Sequence, residues 1–138
     1  MNIKKTVTRV AAPLAASGLL AVAAVVGLGA TSASASTIQN GYLQLCAQGN
    51  YSAFVHVLPV DLGGGFTTRS YESYVVPAGQ CWWAPVDTDG QWAQVDVVGI
   101  YNNSGQEFYI GSEWYNGDVS GMGIGAEGTS TSPWIQTW

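Results

Sequence analysis

Basic side chains are almost absent from this sequence beyond its first nine residues. The 138 residues hold nine acidic side chains but only four lysines and arginines, and three of those four, Lys4, Lys5 and Arg9, stand at the amino terminus. Proteins bind nucleic acid and anionic surfaces by neutralising phosphates with lysine and arginine. A chain with Arg69 as its one later cation cannot do so, which disfavours nucleic acid as a partner.

Histidine and catalytic motifs are equally scarce. His56 is the only histidine, and a lone histidine within an apolar run is more often structural than catalytic. No G-x-S-x-G elbow marks a nucleophilic serine, and nine carboxylates guarantee some pair at glycosidase spacing, so such a pair is unspecific. We therefore expect neither an enzyme nor a cofactor.

A calcium-binding loop is suggested only superficially, by the run from Asp87 through Asp89 to Gly90. An EF-hand loop needs a glycine at its sixth position and a bidentate acid at its twelfth. Trp92 and Val98 stand at those positions here. The run predicts an ordinary turn and no metal site.

The basic start belongs to a segment typical of an export signal. An apolar run rich in Ala, Val and Leu follows from Val10 to Ala30, interrupted by proline and glycine, and it ends in a small-residue A-x-A site. We predict cleavage between Ala35 and Ser36, which makes residues 1–35 a secretory signal peptide. Residues 36–138 are then one secreted, extracellular domain with a formal charge of −8 and no stable membrane anchor.

Cysteine occurs only twice, at Cys46 and Cys81, and no CxxC motif is present. An even pair of cysteines in an exported chain predicts one intramolecular disulfide rather than a redox or zinc site. The bridge would close a loop of 36 residues.

Aromatic residues are abundant: six Trp, seven Tyr and three Phe, a content that argues against disorder. No helical period is visible, and short alternating runs recur about every ten residues between turn signals. This pattern predicts an all-β fold, a single antiparallel β-sandwich of the Ig-like or jelly-roll-like kind, with a partly closed barrel as the alternative. Eight short strands are expected near residues 42–46, 53–58, 68–76, 81–84, 92–101, 107–114, 119–126 and 134–137.

Alternation along a strand assigns side chains to faces. Trp92, Gln94 and Asp96 are expected together on an outer face, and the adjacent Trp82 and Trp83 must point to opposite sides. We also expect an outward Tyr74 and outward residues in the strand near 107–114. The candidate ligand-binding residues are Tyr74, Trp82, Trp83, Trp92, Gln94, Asp96, Glu107 and Tyr109.

Several other rings are expected inside. Alternation places Phe108, Ile110 and Trp114 in the core, and the terminal Trp134 and Trp138 are expected to fix the last strand there. The residues expected to face away from the core in the strand near 107–114 are Glu107, Tyr109 and Glu113.

An outer face of rings and carboxylates favours a non-catalytic binding module for a polysaccharide or glycan, because flat rings stack on sugars. A second packed layer covering that face is the competing interpretation. Two other functions remain open: a secreted inhibitor of an extracellular hydrolase, presenting residues 62–66 or 129–133 as a rigid loop, and a membrane-interface β protein. The expected partners are accordingly a polysaccharide, a glycan or an extracellular protein.

Overall fold

The computed structural model describes residues 37–138, and the predicted signal peptide with its Ala35/Ser36 cleavage site lies outside the described residues. The regular structure in this part of the chain is β-strand throughout, which confirms the all-β prediction. None of it is a helix that could cross a membrane. The ten strands are β1 (Tyr42–Ala47), β2 (Ser52–Val57), β3 (Asp61–Gly63), β4 (Phe66–Thr67), β5 (Tyr71–Glu72), β6 (Cys81–Pro85), β7 (Ala93–Ile100), β8 (Glu107–Tyr115), β9 (Met122–Thr129) and β10 (Ser132–Thr137).

Two four-stranded sheets pack on each other, as predicted for a small β-sandwich. The first sheet has the order β10-β9-β1-β6 and the second sheet the order β5-β2-β7-β8. Neighbouring strands are antiparallel, except that β1 and β9 run parallel. β3 and β4 form a separate hairpin. The parallel pair was not predicted, because alternation within a strand carries no information about its neighbours.

The core is made by the inner side chains of both sheets. Burial alternates along β7, where Ala93, Val95 and Val97 are buried and the residues between them are partly exposed. Burying these aliphatic groups removes apolar surface from water, the main favourable contribution to folding. Within residues 37–138 every buried side-chain nitrogen and oxygen has a hydrogen-bond partner. The largest fully buried side chains are Tyr51, Tyr115, Leu43, Leu45, Ile124, Val55, Val57, Val76, Val95 and Val97.

A β-bulge interrupts the pairing of β7 with β8. Val97 opposes Gly111, but the next residue, Val98, opposes Tyr109, so Ile110 has no cross-strand partner. One extra residue in a strand with period two moves every following side chain to the other face. The alternation predicted for residues 107–114 therefore holds before the bulge and is reversed after it.

This reversal corrects two predictions. Trp114 was expected in the core but is 60% exposed, and the residue after it, Tyr115, is fully buried. Glu113 was expected outside but opposes the buried Val95, so it lies on the inner side at the margin of the sheet and is partly exposed. Phe108, which precedes the bulge, packs against the core as predicted.

The long strand predicted over residues 68–76 is wrong in most of its length. Only Tyr71–Glu72 forms regular pairing, followed by an isolated bridge between Ala53 and Val76. Between them the buried Ser73 accepts a hydrogen bond from the backbone N–H of Val55 through its hydroxyl, at 3.1 Å. A side chain thus replaces part of the backbone ladder there.

The β3–β4 hairpin was not predicted, because its strands are too short to show a pattern. Gly63, Gly64 and Gly65 form its tip with φ angles of 82°, 64° and 83°, a left-handed conformation that favours glycine. Leu62 and Phe66 flank the tip and are exposed.

The predicted disulfide is confirmed. Cys46 of β1 lies directly opposite Cys81 of β6 in the antiparallel register, and the two are bonded. Their neighbours Leu45 and Trp82 face the core, so the bridge lies on the outer side of the first sheet. It joins two adjacent strands that are 35 residues apart in sequence.

Removing this bridge should lower the stability of the domain without changing its fold. Replacing both Cys46 and Cys81 by alanine should reduce the free energy of unfolding by about 3 to 4 kcal/mol, because the unfolded chain regains its loop entropy. Urea unfolding of the oxidised protein and the double variant measures the difference. An unchanged unfolding midpoint would contradict this expectation.

Alkaline pH should weaken the fold through Tyr115. Its hydroxyl donates to the carbonyl of Val86 at 3.4 Å. Burial, together with the carboxylates of Asp118 and Asp87, raises the pKa of Tyr115 from its ordinary value of 10.0 to about 12. The folded state therefore holds this proton more tightly than the unfolded state, so the stabilisation is complete below pH 10 and is lost as the pH approaches 12.

Urea unfolding at a series of pH values across that window should show a falling free energy of unfolding. Tyr115→Phe should make the fall shallower, while Tyr109→Phe, at an exposed tyrosine, should leave the profile unchanged. A profile that is as steep in Tyr115→Phe as in the parent would contradict the assignment.

Candidate functional site

The outer face of the second sheet carries three exposed rings. Tyr109 and Trp114 of β8 lie outward opposite Val98 and Gln94 of β7, and Trp92 immediately precedes that strand. Trp92 is 53% exposed, and Tyr109 and Trp114 are each 60% exposed. Within residues 37–138, therefore, no second packed layer covers these three rings. We call it the Trp92 face, defined by Trp92, Gln94, Asp96, Tyr109, Ser112 and Trp114.

A row of polar side chains crosses this face between the rings. Asp96 lies between His56 of β2 and Ser112 of β8, and His56 in turn opposes Glu72 of β5. Adjacent members are separated by one strand spacing, about 4.8 Å. The Gln94 amide donates to Asp96 Oδ1 at 2.7 Å, which orients the carboxylate. The row offers hydrogen-bond donors and acceptors along a line perpendicular to the strands.

The Tyr109 end of the face has an apolar floor. Phe54 of β2 opposes Val98 and is only 7% exposed although it points away from the core between the sheets. Glu107 lies further along, opposite Ile100, and is exposed. A flat ligand on Tyr109 would therefore rest beside apolar side chains with a carboxylate at the margin.

The adjacent tryptophans of β6 point to opposite sides, as predicted. Trp82 is 5% exposed and Trp83 is 65% exposed. The Trp82 ring stacks on Tyr71 with centroids 5.8 Å apart and meets Tyr74 edge-on at 6.4 Å. Trp82 is thus a core residue and cannot contact a ligand at the surface, whereas Trp83 can.

The eight predicted ligand-binding residues are therefore divided. Five of them share the Trp92 face or its margin. Tyr74 is exposed and lies beside Trp82, and Trp83 lies on the first sheet. Trp114 and Ser112 of the Trp92 face were not predicted as ligand-binding residues, because alternation along one strand gives no sign of the bulge. The five residues brought together are Trp92, Gln94, Asp96, Glu107 and Tyr109.

Trp83 lines one side of an open cavity on the outer face of the first sheet. Gln44 of β1 lies opposite Trp83, and the Tyr42 ring is 5.3 Å from the Trp83 ring at an angle of 36°. The cavity measures about 210 Å³. Alternation in the strand near 42–46 puts Tyr42 and Gln44 on one face, but only the pairing with β6 brings them to Trp83. The lining of this Trp83 cavity is Thr37, Ile38, Gln39, Tyr42, Gln44 and Trp83.

The run from Asp87 to Gly90 forms the predicted turn. The backbone N–H of Asp89 donates to Asp87 Oδ1 at 2.8 Å, and Gly90 takes a left-handed conformation with φ 69°. Among the described residues no three histidine, cysteine or acidic side chains are grouped as metal ligands would be.

The chain is a disulfide-bonded all-β domain whose fold resembles part of a solved bacterial cytotoxin at low identity. Suilysin from Streptococcus suis aligns with a TM-score of 0.50 and 12% identity over 71% of this chain and 23% of the toxin. Pneumolysin aligns with a TM-score of 0.49 and 14% identity over 73% and 23%. Intermedilysin, in its structure with human CD59, aligns with 0.48 and 20% over 71% and 24%.

This chain therefore matches less than a quarter of each of these toxins. The suilysin alignment shows a similar fold and, at 12% identity, nothing about activity. No protein-family model and no curated protein matches the sequence.

The two tryptophans of β6 should respond differently to truncation. Trp82→Ala removes a buried ring from the core and should lower the free energy of unfolding by about 3 to 5 kcal/mol. Trp83→Ala removes an exposed ring and should change it by about 0.5 kcal/mol. Urea unfolding of both variants tests the assignment, and a larger loss in Trp83→Ala than in Trp82→Ala would refute it.

Proposed function

We propose that this domain is a secreted, non-catalytic binding module that uses the Trp92 face to bind a neutral polysaccharide. The observation that carries the proposal is the arrangement of three exposed rings around a hydrogen-bonding row. A sugar ring has an apolar face of C–H groups and a rim of hydroxyls, so it needs both kinds of surface together. The Trp92 face supplies both on the adjacent strands β7 and β8.

The rings supply the apolar part of such a site. Trp92 and Trp114 flank Gln94 at one end of the face, and Tyr109 lies at the other end. Indole and phenol rings are rigid, so they present a flat surface at little cost in conformational entropy. A chain of sugars lying along β7 would meet an aromatic ring at each end.

The polar row supplies the directional part. The Asp96 carboxylate accepts from hydroxyl groups, and the Ser112 hydroxyl both donates and accepts. Gln94 already holds Asp96 in place, so little rearrangement is needed when a ligand binds. Preorganised polar groups of this kind give orientation and specificity to a sugar site.

Charge narrows the class of polysaccharide. Glu72, Asp96 and Glu107 lie on or beside the face, and Arg69 is the only lysine or arginine among residues 37–138. Sulfated or uronic-acid polymers would meet like charge without a compensating cation. The proposal therefore favours neutral chains such as cellulose, chitin or β-1,3-glucan.

The other candidate functions have weaker support. The β3–β4 hairpin exposes Leu62 and Phe66, as an inhibitor loop would, but its tip of three glycines lacks the rigidity that lowers the entropy lost on binding. A membrane-interface role would use the same exposed rings. The liposome measurement below distinguishes this role from polysaccharide binding.

Depletion from solution tests the proposal. Protein incubated with insoluble cellulose, chitin, β-1,3-glucan and purified cell walls should be removed by at least one of them and not by neutral or anionic liposomes. Trp92→Ala and Trp114→Ala should each weaken binding about tenfold.

Trp134 was expected in the core, and this prediction is wrong, because its indole is 50% exposed on the first sheet. Trp134→Ala is therefore the matched control for the loss of an exposed indole. It should bind as the parent does. Depletion by liposomes alone, or by none of the polysaccharides, would sink the proposal.

A further inference from the structure

We propose that the Trp83 cavity is a second ligand site, on the opposite side of the sandwich, and that it takes a single neutral sugar ring. Its ligand class rests on the proposed function, whereas its location rests on the cavity itself. The Trp92 face and the Trp83 cavity lie on the outer sides of different sheets, so one ligand ring cannot contact both.

The walls of the cavity suit a small ring with an apolar face. Trp83 is exposed, and the Tyr42 ring leans toward it at 36° with centroids 5.3 Å apart. The two rings form adjoining sides of a space of about 210 Å³. Sites for drug-sized ligands begin near 300 Å³, so a single ring fits this cavity better than an extended peptide.

The polar atoms of the lining are uncharged. Thr37 contributes a hydroxyl, and Gln39 and Gln44 contribute amides, while none of the lining residues is ionisable at neutral pH. Amides and hydroxyls both donate and accept, which matches the hydroxyls and N-acetyl groups of a sugar. None of these six side chains offers an ion partner to a charged ligand.

Two glycines hold the wall formed by residues 37–39. Gly41 takes a left-handed conformation with φ 82°, in a turn closed by the hydrogen bond from the Tyr42 N–H to the Gln39 carbonyl at 3.0 Å. Gly121 lies against the backbone, where a Cβ would collide with the carbonyl oxygens of Ile38 and Gln39. The fold therefore fixes the position of the wall formed by residues 37–39.

A third glycine brings another indole beside the cavity. Gly123 of β9 is the parallel partner of Gln44, and the Trp138 ring packs over it where a Cβ would collide. Hydrogen bonds between Trp138 and Gly123, 2.9 and 3.1 Å long, fix this arrangement. Gln44 consequently lies between Trp83 and Trp138, with an aromatic surface on either side of its amide.

Two sites on opposite sides would make the domain bivalent. A polymer chain bound on one side leaves the other side free to take a second chain, so the domain would link chains as well as adhere to them. Such linkage strengthens attachment through effective concentration without further contacts.

Indole N–H resonances can test the second site directly. All six tryptophans lie in residues 37–138, so ¹H–¹⁵N spectra of the protein contain one side-chain signal from each, assigned by single Trp→Phe variants. Cellobiose, N,N′-diacetylchitobiose, laminaribiose and a polyproline peptide would be titrated separately to millimolar concentrations. A saturable shift of the Trp83 signal with at least one disaccharide is the expected result.

Each outcome separates the two proposals. Shifts at Trp92 or Trp114 without a shift at Trp83 would retain the proposed function and overturn the second site. A shift at Trp83 alone would support the second site and contradict the proposed ligand binding at the Trp92 face. A shift at Trp83 with the peptide but with no sugar would overturn the ligand class, and no shift with any sugar would overturn both proposals.

Variants then locate the contacts. Gln44→Ala should weaken disaccharide binding at Trp83 about tenfold, while Gln136→Ala, at an exposed glutamine on β10 of the same sheet, should leave it unchanged. Gly121→Ala should displace the wall and reduce the Trp83 shift without affecting the Trp92 signal. Equal behaviour of Gln44→Ala and Gln136→Ala would contradict the proposed contact.

Discussion

The burial of two inner sheet faces against each other is the interaction on which the rest of this structure depends. The core is filled mainly by Val, Leu, Ile and Ala, with Tyr51, Trp82 and Tyr115 as its large rings. Several other rings lie exposed on the outer faces, among them Trp83, Trp92, Tyr109 and Trp114. There they form surfaces of a kind that an ordinary soluble domain seldom exposes.

Alternation predicted the faces of β7 correctly, since its pattern contains no irregularity between Ala93 and Ile100. It failed in β8 after Ile110, from Gly111 onward, because a bulge depends on the partner strand and leaves no mark in the sequence. The same limit explains which residues of the candidate site could be predicted from the sequence. Gln94 and Asp96 of β7 and Trp92, which immediately precedes that strand, are close in sequence and were grouped correctly. The positions of Trp83 and Trp114, in contrast, depend on pairing between distant segments.

The two outer surfaces differ in electrostatic character although both carry indoles. The Trp92 face combines rings with carboxylates and His56, whereas the Trp83 cavity is lined by amides, a hydroxyl and rings. The difference comes from the strands themselves. Asp96 and Glu72 occupy outward positions of the second sheet, while β9 contributes the glycines 123 and 125 to the outer side of the first sheet, where Trp138 covers them.

The parallel pairing of β1 with β9 has a consequence for how the chain acquires its structure. Among residues 37–138 β1 is the first strand, yet one of its two partners, β9, is the last strand but one. The first sheet therefore cannot form strand by strand in sequence order, because β1 has no partner on that side until β9 is reached. Contacts so distant in sequence slow folding, since the long segment between the two strands must close before they can pair.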